Sequence, residues 1–99
     1  MLGGWATTTA WVHNNAPAAS RFIGAMREIA TWSNAHHDES APILAKYAKI
    51  PLETITHMRR GDFAVRFDPA LIQPVIDAAV KYGAVTTPFR ASEIIFGAS

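Results

Sequence analysis

Ninety-nine residues, 49% hydrophobic and 17% charged, are enough for one globular domain and too apolar for a disordered chain. Nine Lys and Arg against eight Asp and Glu leave a net charge of +1, with no run of like charge longer than Arg59-Arg60, which is too even for electrostatic capture of nucleic acid or an anionic membrane. The lack of cysteine excludes disulfides, thiolate metal cages and thiol nucleophiles, and leaves the redox compartment open.

From Met1 to Ser20 there is no Lys or Arg, and the apolar residues are interrupted by Gly3-Gly4, Thr7-Thr8-Thr9 and Asn14-Asn15. A secretory leader needs a basic start and an apolar stretch of ~7–15 residues, and a membrane span needs ~20. Neither is expected, so the chain by itself is expected in the cytoplasm. Trp5 and the segment Thr8 to Asn14 predict a short first helix whose Trp11 and Val12 pack down. Asn15 then caps a helix entered through Ala16-Pro17, because an early proline lacks only an N–H that would be unpaired anyway. Phe22, Met26, Ile29 and Trp32, flanked by Ala18 and Ala25, recur at three- and four-residue steps and predict a long helix over about Ala16 to His36.

His36-His37-Asp38-Glu39-Ser40 breaks that pattern, and Asp38 or Ser40 caps the next helix. Pro42 clashes with a carbonyl four residues back unless it sits in the first turn, which favours the later cap. Ile43, Leu44 and Tyr47 are expected to face inward. Pro51 opens a third helix carrying Leu52, Ile55 and Met58, with Arg59-Arg60 at its negative end and Gly61 as its stop. Phe63, Val65 and Phe67 alternate with Asp62, Ala64 and Arg66, the period of a short extended segment. Asp68-Pro69 caps and starts a helix through Leu71, Ile72, Val75, Ala78, Ala79 and Tyr82 to Gly83, in which Pro74 introduces a kink or sets the first turn apart. After Thr86-Thr87-Pro88, a last short helix from Ala91-Ser92 bears Ile94, Ile95 and Phe96. The expectation is an all-α fold of about five to six helices with one short extended segment, in a single domain over 1–99. At this size a chain buries somewhat over ~60% of the surface its unfolded form exposes, so association is expected to add to its stability.

In order, Trp5 to Trp11-Val12, Asn15-x-Pro17, Phe22-Ile23-x-Ala25, Ala30-x-Trp32, His36-x-Asp38-Glu39, Ile43-Leu44-Ala45-Lys46-Tyr47, Lys49-Ile50-Pro51 and Asp68-Pro69-Ala70-Leu71-Ile72-Gln73-Pro74-Val75-Ile76-Asp77 form a recognisable series. With Tyr82-Gly83, Pro88-Phe89 and Ala91-Ser92-Glu93, the series resembles the C-terminal segment of ABC-importer solute-binding proteins for nitrate, sulfonates, taurine and thiamine precursors. Each motif is only a cap, a core residue or a helix stop, and their order over nearly the whole chain carries the likeness. The resemblance implies a periplasmic, two-lobe α/β protein that closes on a small solute and delivers it to an ABC permease, with this stretch as a helical flank of one lobe. Both sheets and most of the ligand cleft would lie outside it, so no ligand contact can be carried over and the segment is not expected to bind a solute alone. Helix faces that pack on a sheet in the full-length relatives would be bare, which predicts a homodimer, with helices exchanged between copies as one form of it.

The rival reading is a small helical interaction module, specifically a helix-turn-helix over 43–61. Ala45, Ile50, Ile55 and Met58 fit its apolar spacing, and Arg59-Arg60-Gly61 follow. Lys49 stands where Gly is common in the turn, Leu52 and Glu53 occupy the face that would enter the groove, and the charge is nearly neutral, so nucleic-acid binding is not expected. His13, His36, His37 and His57 are read as solvated helix-end residues; adjacent histidines on a helix point about 100° apart and do not chelate as residues four apart do, and no metal site or cofactor is expected. Ser20, Ser33, Ser40 and Ser92 lack a glycine-rich elbow, Glu28, Glu39, Glu53 and Glu93 are scattered, and Asp38 and Asp68 serve as caps, so no catalytic residue and no enzyme is expected. Trp5, Trp11, Trp32, Phe22, Tyr47, Phe63, Phe67, Tyr82, Phe89 and Phe96 read as core rather than as the lining of a ligand pocket.

Overall fold

A computed structural model describes residues 3–97, and every regular element in it is helical: α1 (Thr9–Asn14), α2 (Ala16–Ala35), α3 (His37–Ala48), α4 (Leu52–His57), α5 (Pro69–Lys81) and a 3-10 turn at Ala91–Glu93. The all-α expectation therefore holds among the described residues. Met1 and Leu2, part of the stretch read for a leader, lie outside them. Among the described residues, no helix is long and apolar enough to cross a membrane. The chain forms two compact units, one made of the described residues up to Ala19 together with those from Arg66 onward, the other of Ser20–Val65.

In the first unit, the Thr8 hydroxyl accepts from the Trp11 N–H at 3.2 Å and starts α1. Asn15 opens α2 through its backbone carbonyl, which accepts from the Ala19 N–H at 2.9 Å. Its side-chain amide turns back to donate to the Trp11 carbonyl at 2.9 Å, so Asn15 closes α1 as well as opening α2. Asp68 caps α5 as expected, accepting from the Ala70 N–H at 3.0 Å. The first turn of α5 is tightened by a three-residue bond from the Leu71 N–H to the Asp68 carbonyl. Its end is a full Schellman closure. Gly83 takes φ 78°, its N–H donates to the Val80 carbonyl, and the Ala84 N–H donates to the Ala79 carbonyl at 2.8 Å.

The expected last helix shortens to a single turn. Ala91–Glu93 is held by a Glu93 carboxylate that accepts from the Arg90 N–H at 2.7 Å, and Ile94 already ends it, leaving Ile95 and Phe96 beyond. This turn packs on α5.

In the second unit, α3 starts earlier than predicted. The Ser40 N–H reaches the His36 carbonyl at 3.0 Å, making His36 the cap position, while the Ser40 hydroxyl donates to the His37 carbonyl and Asp38 lies in the first turn. Neither Asp38 nor Ser40 is the cap, because Ser40 is buried and its hydroxyl is used inside the helix. Pro42 consequently lies inside α3, with no N–H to offer the Asp38 carbonyl. Lys49 ends α3 in the left-handed region, φ 56° and ψ 37°. α4 packs against α3, and Ile55, 1% exposed, is the most deeply covered large side chain. α4 ends at His57 with Met58 extended, so Arg59, Arg60 and Gly61 lie past the helix rather than closing it.

The predicted inward faces are the main correction. Among the described residues, the buried apolar ones are Ala19, Ala30, Ala41, Ala91, Ile55 and Ile76. Of Ile43, Leu44 and Tyr47, expected to face inward, Leu44 is half-buried and the other two are exposed, Tyr47 at 76%; Tyr82, read as core, is 79% exposed, and Leu71 and Val75 on α5 are exposed as well. Ala41 lies in α3, which packs on α4, and Ala91 in the turn that packs on α5, while Ala19 and Ala30 lie on α2.

Candidate functional site

The densest polar arrangement lies where α2 meets α3 in the second unit. His36 follows Trp32 by one helical turn, and the two rings stack with centroids 5.0 Å apart and planes 9° from parallel. The imidazole Nδ1 donates to the Trp32 carbonyl at 2.7 Å, which fixes the ring against the end of α2. One residue on, His37 has its Nε2 buried without a hydrogen-bond partner, and its backbone carbonyl accepts from the Ser40 hydroxyl at 3.2 Å and from Arg60 Nη1 at 3.0 Å. Arg60 Nη2 also donates to Ser40 Oγ at 2.8 Å. Arg60 thus crosses from the segment after α4 to clasp the first turn of α3.

A second clasp holds the segment predicted to be extended. Among the described residues no strand forms there, and the backbone bonds instead to side chains of α2. Asn34 accepts from the Phe63 N–H and donates to the Phe63 carbonyl, both at 2.8 Å, and Arg27 Nε donates to the Val65 carbonyl at 2.8 Å. The Asn34 amide does for Phe63 what a neighbouring peptide does in a sheet. Asn34, Arg27 and Arg60 carried no signal in the sequence, because each acts on backbone 20 or more residues away and so produces no local spacing.

Two depressions border this region. One, of about 270 Å³, is lined by Asn34, Ala35, His36, His37, Asp38 and Glu39; the other, of about 590 Å³, lies along α2 over Gly24, Arg27, Glu28, Thr31 and Trp32. Both are broad and open rather than enclosed, unlike a solute pocket, which surrounds most of its ligand.

The sequence candidates do not converge. Ser40 Oγ bonds to a carbonyl and a guanidinium and to no imidazole. His57 Nδ1 donates to the Glu53 carbonyl at 2.8 Å within its own helix. Among the described residues no three His, Asp or Glu side chains gather as a metal site would require. Of the helix-turn-helix residues, Ile55 is buried and Ala45 and Ile50 are half-buried, while Met58 is exposed and Arg60 is occupied at α3. The aromatic residues read as core are exposed instead, Phe89 alone among the ten being half-buried.

No protein-family model, curated protein or solved structure matches this chain.

Proposed function

We propose that this chain is the C-terminal helical flank of an ABC-importer solute-binding protein of the nitrate, sulfonate and taurine type, serving small-molecule uptake in the periplasm and not binding its solute alone. The observation that carries the reading is the contrast between covered and bare side chains. Among the described residues the buried apolar set is four alanines and two isoleucines, while Ile29, Ile43, Leu71, Val75 and Tyr82 stand exposed along the three longest helices or at their ends. Amphipathic helices with bare outer faces are what a flank looks like without the body it covers. The ordered motif series from Trp5 to Glu93 supplies the family, and the open depressions agree with a cleft whose walls lie elsewhere.

A chimera tests this. The C-terminal segment of a taurine-type solute-binding protein is replaced by residues 3–97 of this chain, and taurine affinity is measured by calorimetry. The expected result is a folded chimera that binds within about tenfold of its parent. An unfolded chimera, when the same junctions carrying the parent's own segment fold, would sink the proposal.

One observation favours the helix-turn-helix alternative: Lys49 adopts the left-handed turn conformation between α3 and α4. Against it stand a six-residue α4 and a net charge of +1. Retention of labelled duplex DNA at physiological salt is the measurement that would bring it forward.

A further inference from the structure

We propose that the segment Asp62–Arg66 pairs with the same segment of a second copy, antiparallel, about a two-fold axis beside Ala64. The argument starts from which peptide groups are already used. Both groups of Phe63 and the carbonyl of Val65 are bonded to α2 through Asn34 and Arg27. In extended backbone the N–H and C=O of one residue point to one side and those of the next residue to the other. Turning Phe63 and Val65 toward α2 therefore turns both groups of Ala64 away from it. Ala64 is exposed, and among the described residues its N–H and C=O make no hydrogen bond. A residue that offers both groups on one open edge is half of the closely spaced antiparallel pair, in which two facing residues exchange two N–H···O bonds.

The sequence around Ala64 is self-complementary in this register and not in others. With Ala64 opposite Ala64, Phe63 faces Val65 of the other copy and Asp62 faces Arg66. Each flanking pair is a favourable cross-strand combination, aromatic with β-branched inside and acid with base outside. Parallel pairing in register would instead set Asp62 on Asp62 and Arg66 on Arg66, which is unfavourable. Phe63 and Val65 are 58% and 42% exposed, so the side chains this register joins are free to meet.

The chain bends at Val65 and Arg66, which confines the backbone ladder to the central pair and leaves the outer charge pair to the long arginine side chain. The contact is small, so the association is weak and reversible, with a dissociation constant on the order of 0.1–1 mM. It does not depend on the importer reading, because it uses only groups within and beside the α2 clasp.

Sedimentation velocity and concentration-dependent amide shifts, from about 10 μM to about 1 mM, test the proposal. Wild-type chain is expected to dimerise over that range, with the Ala64 amide shifting most. Ala64→Pro removes the central donor in a segment outside every helix, so it is expected to abolish dimerisation while helical circular dichroism is retained. Asp62→Arg and Arg66→Asp each place like charges opposite one another and are expected to weaken self-association at least about tenfold. An equimolar mixture of those two variants, and the double variant Asp62→Arg/Arg66→Asp, restore opposite charges and are expected to dimerise like wild type. A wild-type chain that stays monomeric throughout, single charge variants that associate unchanged, or a mixture that fails to recover overturns the proposal, as does undiminished dimerisation of a folded Ala64→Pro.

Discussion

The two units carry parallel devices. In each, a helix has a proline five residues beyond its first residue, Pro42 in α3 and Pro74 in α5, and near its end a lysine ammonium 5.4 Å over the ring of the next residue, Lys46 over Tyr47 and Lys81 over Tyr82. Each unit also has a helix-borne amide that grips passing backbone. Asn34 holds both groups of Phe63; Gln73 donates to the Phe89 carbonyl at 3.1 Å and accepts from the Ala91 N–H at 2.8 Å, braced by Asp77 at 2.9 Å. The units part at the helix stop. Gly83 enters its left-handed conformation without a side-chain clash, whereas Lys49 holds one that costs an ordinary residue roughly 1–2 kcal/mol. A stop set by glycine is fixed locally, and one set by lysine depends on the packing beyond it, here that of α4, with its buried Ile55, on α3.

That dependence gives the largest expected effect. Ile55→Ala should cost about 2–5 kcal/mol in thermal denaturation and loosen the α3–α4 turn, because Ile55 is the buried large side chain of the α4 that packs on α3 beyond Lys49. A smaller loss would mean that the lysine stop is self-sufficient and the contrast between units false. Next come the two amides. Gln73→Ala removes three bonds and Asn34→Ala two, so at ~0.5–1.5 kcal/mol per bond the first should be the more destabilising. Hydrogen exchange should accelerate at the Ala91 amide in one variant and at the Phe63 amide in the other; acceleration at both amides in either variant would show that the units are not separate. Gly83→Ala should cost about 1 kcal/mol from the dihedral alone, since a Cβ there meets no atom within 4 Å. The smallest change is a gain: Lys49→Gly should stabilise by about 0.5–1 kcal/mol, offset in part by the greater freedom of glycine when unfolded, and a loss of stability would mean that the Lys49 side chain has a role of its own.

Helix starts and stops read well from the sequence where they rest on residues close in the chain. Thr8, Asp68 and Gly83 act through partners within five positions, and their patterns are local. Prolines were less legible: Pro42 should have been confined to a first turn, yet α3 begins at His37, because the His36 carbonyl and the buried Ser40 start the helix before the proline matters. The facing of side chains was the least legible. A three- and four-residue stripe marks one side of a helix without saying whether anything covers it, and Leu71, Val75 and Tyr82 form such a stripe on α5 that stays largely exposed. The clasps of Asn34, Arg60 and Gln73 were invisible for the same reason, since long-range bonds from single polar residues leave no periodic trace. No constellation of catalytic or metal-binding residues stood out in the sequence; the break between α2 and α3 at His36–Ser40 was legible, whereas the bonds that Arg60 and Asn34 make around it were not.

The alanines at the covered positions have a consequence for how this molecule tolerates change. Ala41 and Ala91 are 4% and 1% exposed, so an enlarged side chain at either must be accommodated inside packed structure and is expected to destabilise it. Variation that retunes the molecule without dismantling it is thereby channelled to its outward side chains, and its interior behaves as a fixed hinge-pin around which the exterior is free to diversify.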